Sequence, residues 1–197
     1  LPRRLVRLQG QAGGLQRAEQ CQQRARRIGN PVNGDAIYNG ADDDASGTVA
    51  GVATRRFHGL LIAALPAPLG RTMMLNEIHD TLHLADGSSF ALCGEERQPG
   101  QVDLPLSQHL AEFRLEAGLP VWRYEFGKVV LEKQLLMPHR QNTVHLTYRL
   151  LAAEAPVRLL LRPAINFRPH EGRVSDPLTD QYQLTIVEDR YEISGKD

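Results

Sequence analysis

The chain has 197 residues, 42% of them hydrophobic and 23% charged, with a formal net charge of zero. That is enough chain for one sizeable core and no more than an ordinary surface charge. Composition excludes a disordered acidic or basic protein, and two cysteines, Cys21 and Cys93, exclude a disulfide framework and point to a reducing cytoplasm.

The charge is uneven. Residues 1–30 carry seven arginines against the single acid Glu19, with no aromatic residue for base stacking and no steady helical stripe. The expectation is a loosely ordered basic leader, with neither nucleic acid nor membrane as partner. There is no apolar run of the ~20 residues that span a bilayer, and no apolar signal-peptide core.

From Phe57 onward the pattern is that of strands. Gly59 to Leu65 is a continuous apolar run, short enough for a strand buried on both faces. Thr81–Leu84 and Ser89–Leu92 flank Asp86-Gly87, the signature of a hairpin with a tight turn. Leu106 to Leu115 fits either a short helix or an irregular strand. Trp122, Tyr124 and Phe126 alternate with Val121, Arg123 and Glu125, and Gly127 turns the chain into Lys128 to Met137, where Val129, Leu131, Leu135 and Met137 share a face. The alternation is clearest at Val144, Leu146, Tyr148 and Leu150, and it recurs at Val157, Leu159 and Leu161 and at Tyr182, Leu184 and Ile186. One apolar face per strand and turns about every ten residues predict an all-β fold, an antiparallel β-sandwich.

Several chemistries fail on spacing. Ser46 lacks the G-x-S-x-G elbow of an exposed nucleophile, and no phosphate-cradling or dinucleotide fingerprint is present. His79, Asp80 and His83 are the nearest approach to a metal cluster, but read better as hairpin side chains on the surface. Asp42-Asp43-Asp44 lacks the spacing of a calcium loop and reads as a solvated acidic turn. Glu125 and Glu132 read as solvated carboxylates, so no catalytic acid is nominated; no metal or cofactor is expected.

The most informative segment is Ala45-Ser46-Gly47-Thr48-Val49-Ala50-Gly51, followed by Thr54-Arg55-Arg56-Phe57-His58-Gly59-Leu60-Leu61. It resembles the N-terminal domain of bacterial and archaeal glycogen debranching enzymes of the amylo-α-1,6-glucosidase type, whose motif runs A-S-G-T-V-A-G-x-x-T-R-R-Y-H-G-L-L. Further pieces fall in the same order: Pro66 to Arg71, Met74 to Glu77, Leu119 to Glu125 around Trp122, Glu132-Lys133, Asn142-Thr143-Val144, Tyr148-Arg149-Leu150, and Leu161-Arg162-Pro163-Ala164-Ile165-Asn166-Phe167-Arg168. The likeness covers about Asn39 to Arg168. Departures are Ala41-Asp42-Asp43-Asp44, where the family has a glycine-rich turn, and Pro169-His170-Glu171, where it has an aspartate and then a histidine. Residues 1–38 show no likeness.

The resemblance implies a division into a basic segment, 1–38, and a supersandwich-like domain, 39–197, that continues past the C-terminal residue. It implies that the catalytic α/α barrel, with its acid and base, lies outside this chain, which alone would be inactive. The complete enzyme would hydrolyse α-1,6-glucosidic branch linkages in glycogen, and the partners would be α-glucan (glycogen, limit dextrin or malto-oligosaccharide) and the helical domain. Candidate residues for substrate binding or for the domain seam are Arg55, Arg56, His58, Trp122, Asn166, Arg168 and His170. Arg55 and Arg56, read as adjacent strand positions, would point to opposite faces. Trp122 fits either sugar stacking or the core. A free-standing carbohydrate-binding module and a purely structural domain stay open as alternatives.

Overall fold

The computed structural model describes residues 4–9, 35–39, 44–49, 51–53, 55–98, 101–103, 105, 108–138, 141–177 and 181–196. Among them every regular element is a strand, and every pairing is antiparallel. Strands β1 (Arg4–Gln9), β2 (Asp35–Asn39), β3 (Asp44–Thr48), β4 (Gly59–Ala64) and β5 (Arg71–Leu75) come first. They are followed by β6 (Glu77–His83), β7 (Ser89–Ala91), β8 (Glu95–Gln98), β9 (Gln101–Asp103), β10 (Leu110–Glu116) and β11 (Leu119–Phe126). The last are β12 (Val129–Leu136), β13 (His145–Ala152), β14 (Arg158–Ala164), β15 (Arg168–Pro169), β16 (Gln181–Val187) and β17 (Arg190–Lys196).

The sandwich is built from a four-stranded sheet, β10-β11-β12-β13, facing a five-stranded sheet, β15-β5-β4-β3-β2, and a three-stranded sheet, β14-β6-β7. Only Asn76 separates β5 from β6; its N–H donates to Ala164 O and its carbonyl accepts from Leu60 N–H, so these two sheets run on from each other. Leu61, Ala63, Met74, Leu75 and Leu82 from that side meet Phe113, Trp122, Tyr124, Phe126, Leu131 and Leu135 from the other in one core. A separate sheet, β1-β17-β16, carries Tyr182, Leu184, Ile186 and Tyr191, of which Leu184 and Ile186 are 59% and 67% exposed.

The all-β antiparallel sandwich is therefore the fold that alternation implied. The hairpin at Asp86-Gly87 forms as expected, with β6 paired to β7 and Gly87 at φ 88. Leu110–Glu116 resolves the ambiguous segment as a strand, with a register shift between Leu110 and Glu112. The expected loose leader supplies β1, which pairs with β17 from Arg4↔Gly195 to Gln9↔Arg190. The expected boundary after residue 38 falls inside β2. Cys21, Asp42 and Asp43 lie outside the described residues.

Two surface expectations are corrected. Asp80 is completely buried: strand period two places it with Leu82 toward the core, while His79 and His83 take the other face, so the three do not converge. Its Oδ2 accepts from Lys133 Nζ at 2.6 Å and from Tyr148 OH at 2.8 Å. Lys133 shares the inward row Phe113–Trp122–Lys133–Tyr148 across the four-stranded sheet, and its ammonium lies 5.8 Å from the Trp122 ring and 5.6 Å from the Tyr148 ring. Glu132 is also buried rather than solvated. On the outer face of the same sheet its two oxygens accept from Arg114 at 2.7 Å and Arg149 at 3.2 Å, and the arginines cover it. Glu125 is exposed, as expected, beside Arg123.

Candidate functional site

The small-residue motif shapes one loop. Thr48 is buried, and its hydroxyl both donates to Val52 O and accepts from Val52 N–H, closing the turn after β3. Gly51 takes φ 70 within that turn, a conformation glycine adopts without steric cost, and its backbone approaches Cys93. Ser46 donates to Phe57 O at 2.9 Å, so a hydroxyl from β3 holds the segment that follows. Arg55 to Phe57 is a turn, closed by His58 N–H donating to Arg55 O, and not a strand. The expectation that Arg55 and Arg56 point to opposite strand faces is thus corrected: the chain becomes extended only at Gly59. A Cβ at that glycine would run into the thioether end of Met73, which would have to move aside within the core.

The second loop follows β14. Phe167 N–H donates to Tyr182 OH, the two rings meeting at 5.2 Å, and Arg168–Pro169 then pairs with β5. His170 N–H donates to Arg71 O, and Gly172 N–H donates back to Pro169 O at 2.8 Å. Arg168 joins the two loops. It is 7% exposed, and its Nη1 donates to Pro169 O, His170 O and Gly172 O while Nη2 donates to Arg56 O. Four carbonyls from both loops therefore converge on one guanidinium, a use its fork of fixed donors suits and a lysine could not copy.

Around this clamp lie the remaining groups. Phe57 is half-buried, with the Arg55 guanidinium 5.8 Å from its ring centroid, His58 edge-on at 5.4 Å and His170 at 6.5 Å. Arg56 Nη2 is 3.4 Å from Glu171 Oε2, and His170 Nδ1 is 3.5 Å from Glu171 Oε1. Burial, with the Arg71 guanidinium next in effect, holds the His170 imidazole below its ordinary pKa. Burial also lowers Arg168, with Arg56 adding to the effect.

Five of the sequence-derived candidates, Arg55, Arg56, His58, Arg168 and His170, thus meet at one place. His58 is 2% exposed and forms part of the loop base, whereas Arg55 and Arg56 are exposed. Asn166 is half-buried just ahead of the second loop and makes none of the contacts that join the two. Trp122 is elsewhere: it is 6% exposed in the core and its Nε1 donates to Val49 O at 2.7 Å, tying the four-stranded sheet to the turn after β3. Sequence reasoning passed over Phe57, although it sits inside the quoted motif, and Glu171, although it follows His170 directly. It also passed over Ser46 as a structural donor.

No helix among the described residues is long and apolar enough to cross a membrane. Nor do three or more His, Cys, Asp or Glu side chains among them assemble as a metal site.

An antiparallel sandwich whose arginine turn is clamped to a second loop by a buried arginine defines a β-domain with a polar loop pair. The sequence matches the family of the glycogen debranching enzyme N-terminal domain over residues 39–196, and the chain belongs to that family. No curated protein and no solved structure matches it.

Proposed function

We propose that this chain is a non-catalytic domain of a cytoplasmic glycogen debranching enzyme, and that the complete enzyme hydrolyses α-1,6-glucosidic branch linkages in α-glucan. In this reading the domain supports the helical catalytic domain and lines part of the glucan approach with the Arg55–His58 turn and the Arg168–Glu171 loop. The observation that carries it is the Arg168 clamp. A buried guanidinium with four backbone acceptors fixes two polar loops to each other, an arrangement that presents side chains at a set spacing rather than stabilising the core. The exposed row of Leu184, Ile186 and Tyr191 supports a further domain packing on the sandwich.

Glycosidic hydrolysis needs two carboxyl groups across a cleft. Glu132 is held by two arginines and Asp80 by Lys133 and Tyr148, so neither is placed to serve as acid or base. Incubation of the purified chain with a branched limit dextrin should release no glucose; release above the level of a heat-inactivated sample overturns the non-catalytic assignment.

A further inference from the structure

We propose that the free edge of β14 docks an extended strand of a partner protein, one that carries two carboxylates four positions apart with apolar residues between them. In the sheet β14-β6-β7, β14 pairs with β6 alone, so among the described residues its other edge is open. Ala164 O accepts from Asn76 N–H on the β6 side, and strand alternation turns the backbone groups of Arg158, Leu160 and Arg162 the same way. The N–H and C=O groups of Leu159 and Leu161 therefore face the open edge, and Pro163, which has no N–H, ends the row.

The side chains on the two faces of this edge set its chemistry. On the outer face Arg158 stands opposite His83 and Arg162 opposite His79, with Leu160, 46% exposed, between the arginines. Both guanidiniums are exposed, and among the described residues neither has a hydrogen bond or an ion pair. Glu77, the carboxylate on that face of β6, is taken by His79 at 3.2 Å. On the inner face Leu161 is the register partner of the buried Asp80, yet it is 43% exposed. The facing sheet's edge strand, β13, comes to the same place: its Tyr148 hydroxyl reaches Asp80, and Leu150, two positions on, is 45% exposed. The core is thus open along this edge, and the inward side chains of an added strand close it.

The charges decide the occupant. If β14 paired antiparallel with β14 of a second copy about Leu160, each Arg158 would face an Arg162 across the seam, and like charges directly opposite are destabilising. Charges of this kind guard an edge against its own copy. A strand with acids in those two positions meets both arginines, while the backbone of Leu159 and Leu161 supplies the hydrogen bonds of strand addition. The matching pattern is acid, apolar, apolar, apolar, acid: the acids and the middle residue lie on the outer face, and the other two residues enter the open core edge.

The test is a fluorescence-anisotropy titration of the labelled peptide Gly-Ser-Glu-Val-Leu-Val-Glu-Ser-Gly with the 197-residue chain at low salt. The chain should bind it, and Arg158→Glu combined with Arg162→Glu should weaken binding ~10-fold or more, through loss of two ion pairs and the repulsion that replaces them. A peptide with lysine for both glutamates should show the reverse order, binding the double variant better than the parent, which also shows that the variant is folded. N-methylation of the two valines keeps every charge but removes the N–H groups that meet Leu159 and Leu161, and should abolish binding to the parent. No binding by the parent, or binding indifferent to charge reversal, overturns the proposal. Binding indifferent to N-methylation, with displacement by inorganic polyphosphate, would make this a general anion surface and overturn it as well.

Discussion

Replacing Lys133 by methionine should be the most damaging single change in the core. The Lys133 ammonium bonds Asp80 Oδ2 at 2.6 Å, with Asp80 wholly buried and Lys133 8% exposed. Methionine keeps most of the side-chain volume and can still lie between Trp122 and Tyr148, so the packing loss is small. What remains is a buried carboxylate whose Oδ1 has no hydrogen-bond partner among the described residues and whose Oδ2 keeps the Tyr148 hydroxyl. Removing one partner of a buried ion pair costs about 3–5 kcal/mol, because the other charge is left uncompensated. For a chain of this size each kcal/mol lowers Tm by about 2–4 °C, so Lys133→Met should lower it by roughly 6–20 °C. Urea unfolding followed by Trp122 fluorescence measures the same loss in free energy. The pair Lys133→Met with Asp80→Asn removes both charges and should recover at least ~1 kcal/mol relative to the single lysine variant. If Lys133→Met alone costs under ~1 kcal/mol, the ion pair is not what joins the sheets, and the argument from burial fails.

Three further outcomes follow from the same geometry. Burial, aided by the Asp80 charge, pushes the Cys93 thiol up to about 11 and raises Tyr148 and Tyr124 above the ordinary phenol range. Groups raised on folding keep protons that the unfolded chain releases, so their stabilising effect is complete below their unfolded pKa and is lost as pH rises. The free energy of urea unfolding should therefore fall from about pH 9 upward, by ~2 kcal/mol between pH 9 and 11 from Cys93 alone, and Cys93→Ser should flatten the first part of that fall. A midpoint constant from pH 8 to 10.5 would contradict it. Gly59→Ala should cost about 1–3 kcal/mol in equilibrium unfolding, because its Cβ meets the tip of the fully buried Met73. Arg168→Lys should destabilise nearly as much as Arg168→Met, by ~2–4 kcal/mol, since the single nitrogen of an ammonium cannot reach the second loop and Arg56 O at once as two separate guanidinium nitrogens do; full recovery by lysine in thermal melts would refute the clamp.

The strands were legible because period two is a local signal. Val129, Leu131, Leu135 and Met137 announced an inward face, and that face carries Lys133 at its midpoint, the one readable hint of a buried cation. Its partner was not readable: Asp80 is 53 positions away, and only the packing of two sheets brings it there. Glu132 looked solvated for the same reason, as Arg149 reaches it from the adjacent β13 and Arg114 from β10, across β11. Likewise, alternation marked Tyr182, Leu184 and Ile186 as one apolar face but could not say that most of this row stays uncovered. The loop pair was found through resemblance rather than pattern. The turn at Arg55–Phe57 has no periodicity, and the carbonyl acceptors of Arg168 carry no sequence signature at all.

That last point separates the two buried cations of this domain. Lys133 is balanced by a carboxylate and spans the core, so its removal is a matter of stability. Among the described residues Arg168 meets backbone carbonyl dipoles rather than a carboxylate, and it spans two loops. Had Glu171 been recruited to neutralise Arg168, the second loop would be tied just as firmly, but Arg56 would lose its carboxylate partner. Carbonyl compensation instead keeps the outer pair of opposite charges intact and half-solvated, beside an aromatic ring. The division of labour between the two cations predicts where each loss is felt: amide exchange should speed up across the core strands in Lys133→Met and chiefly in the two clamped loops in Arg168→Met.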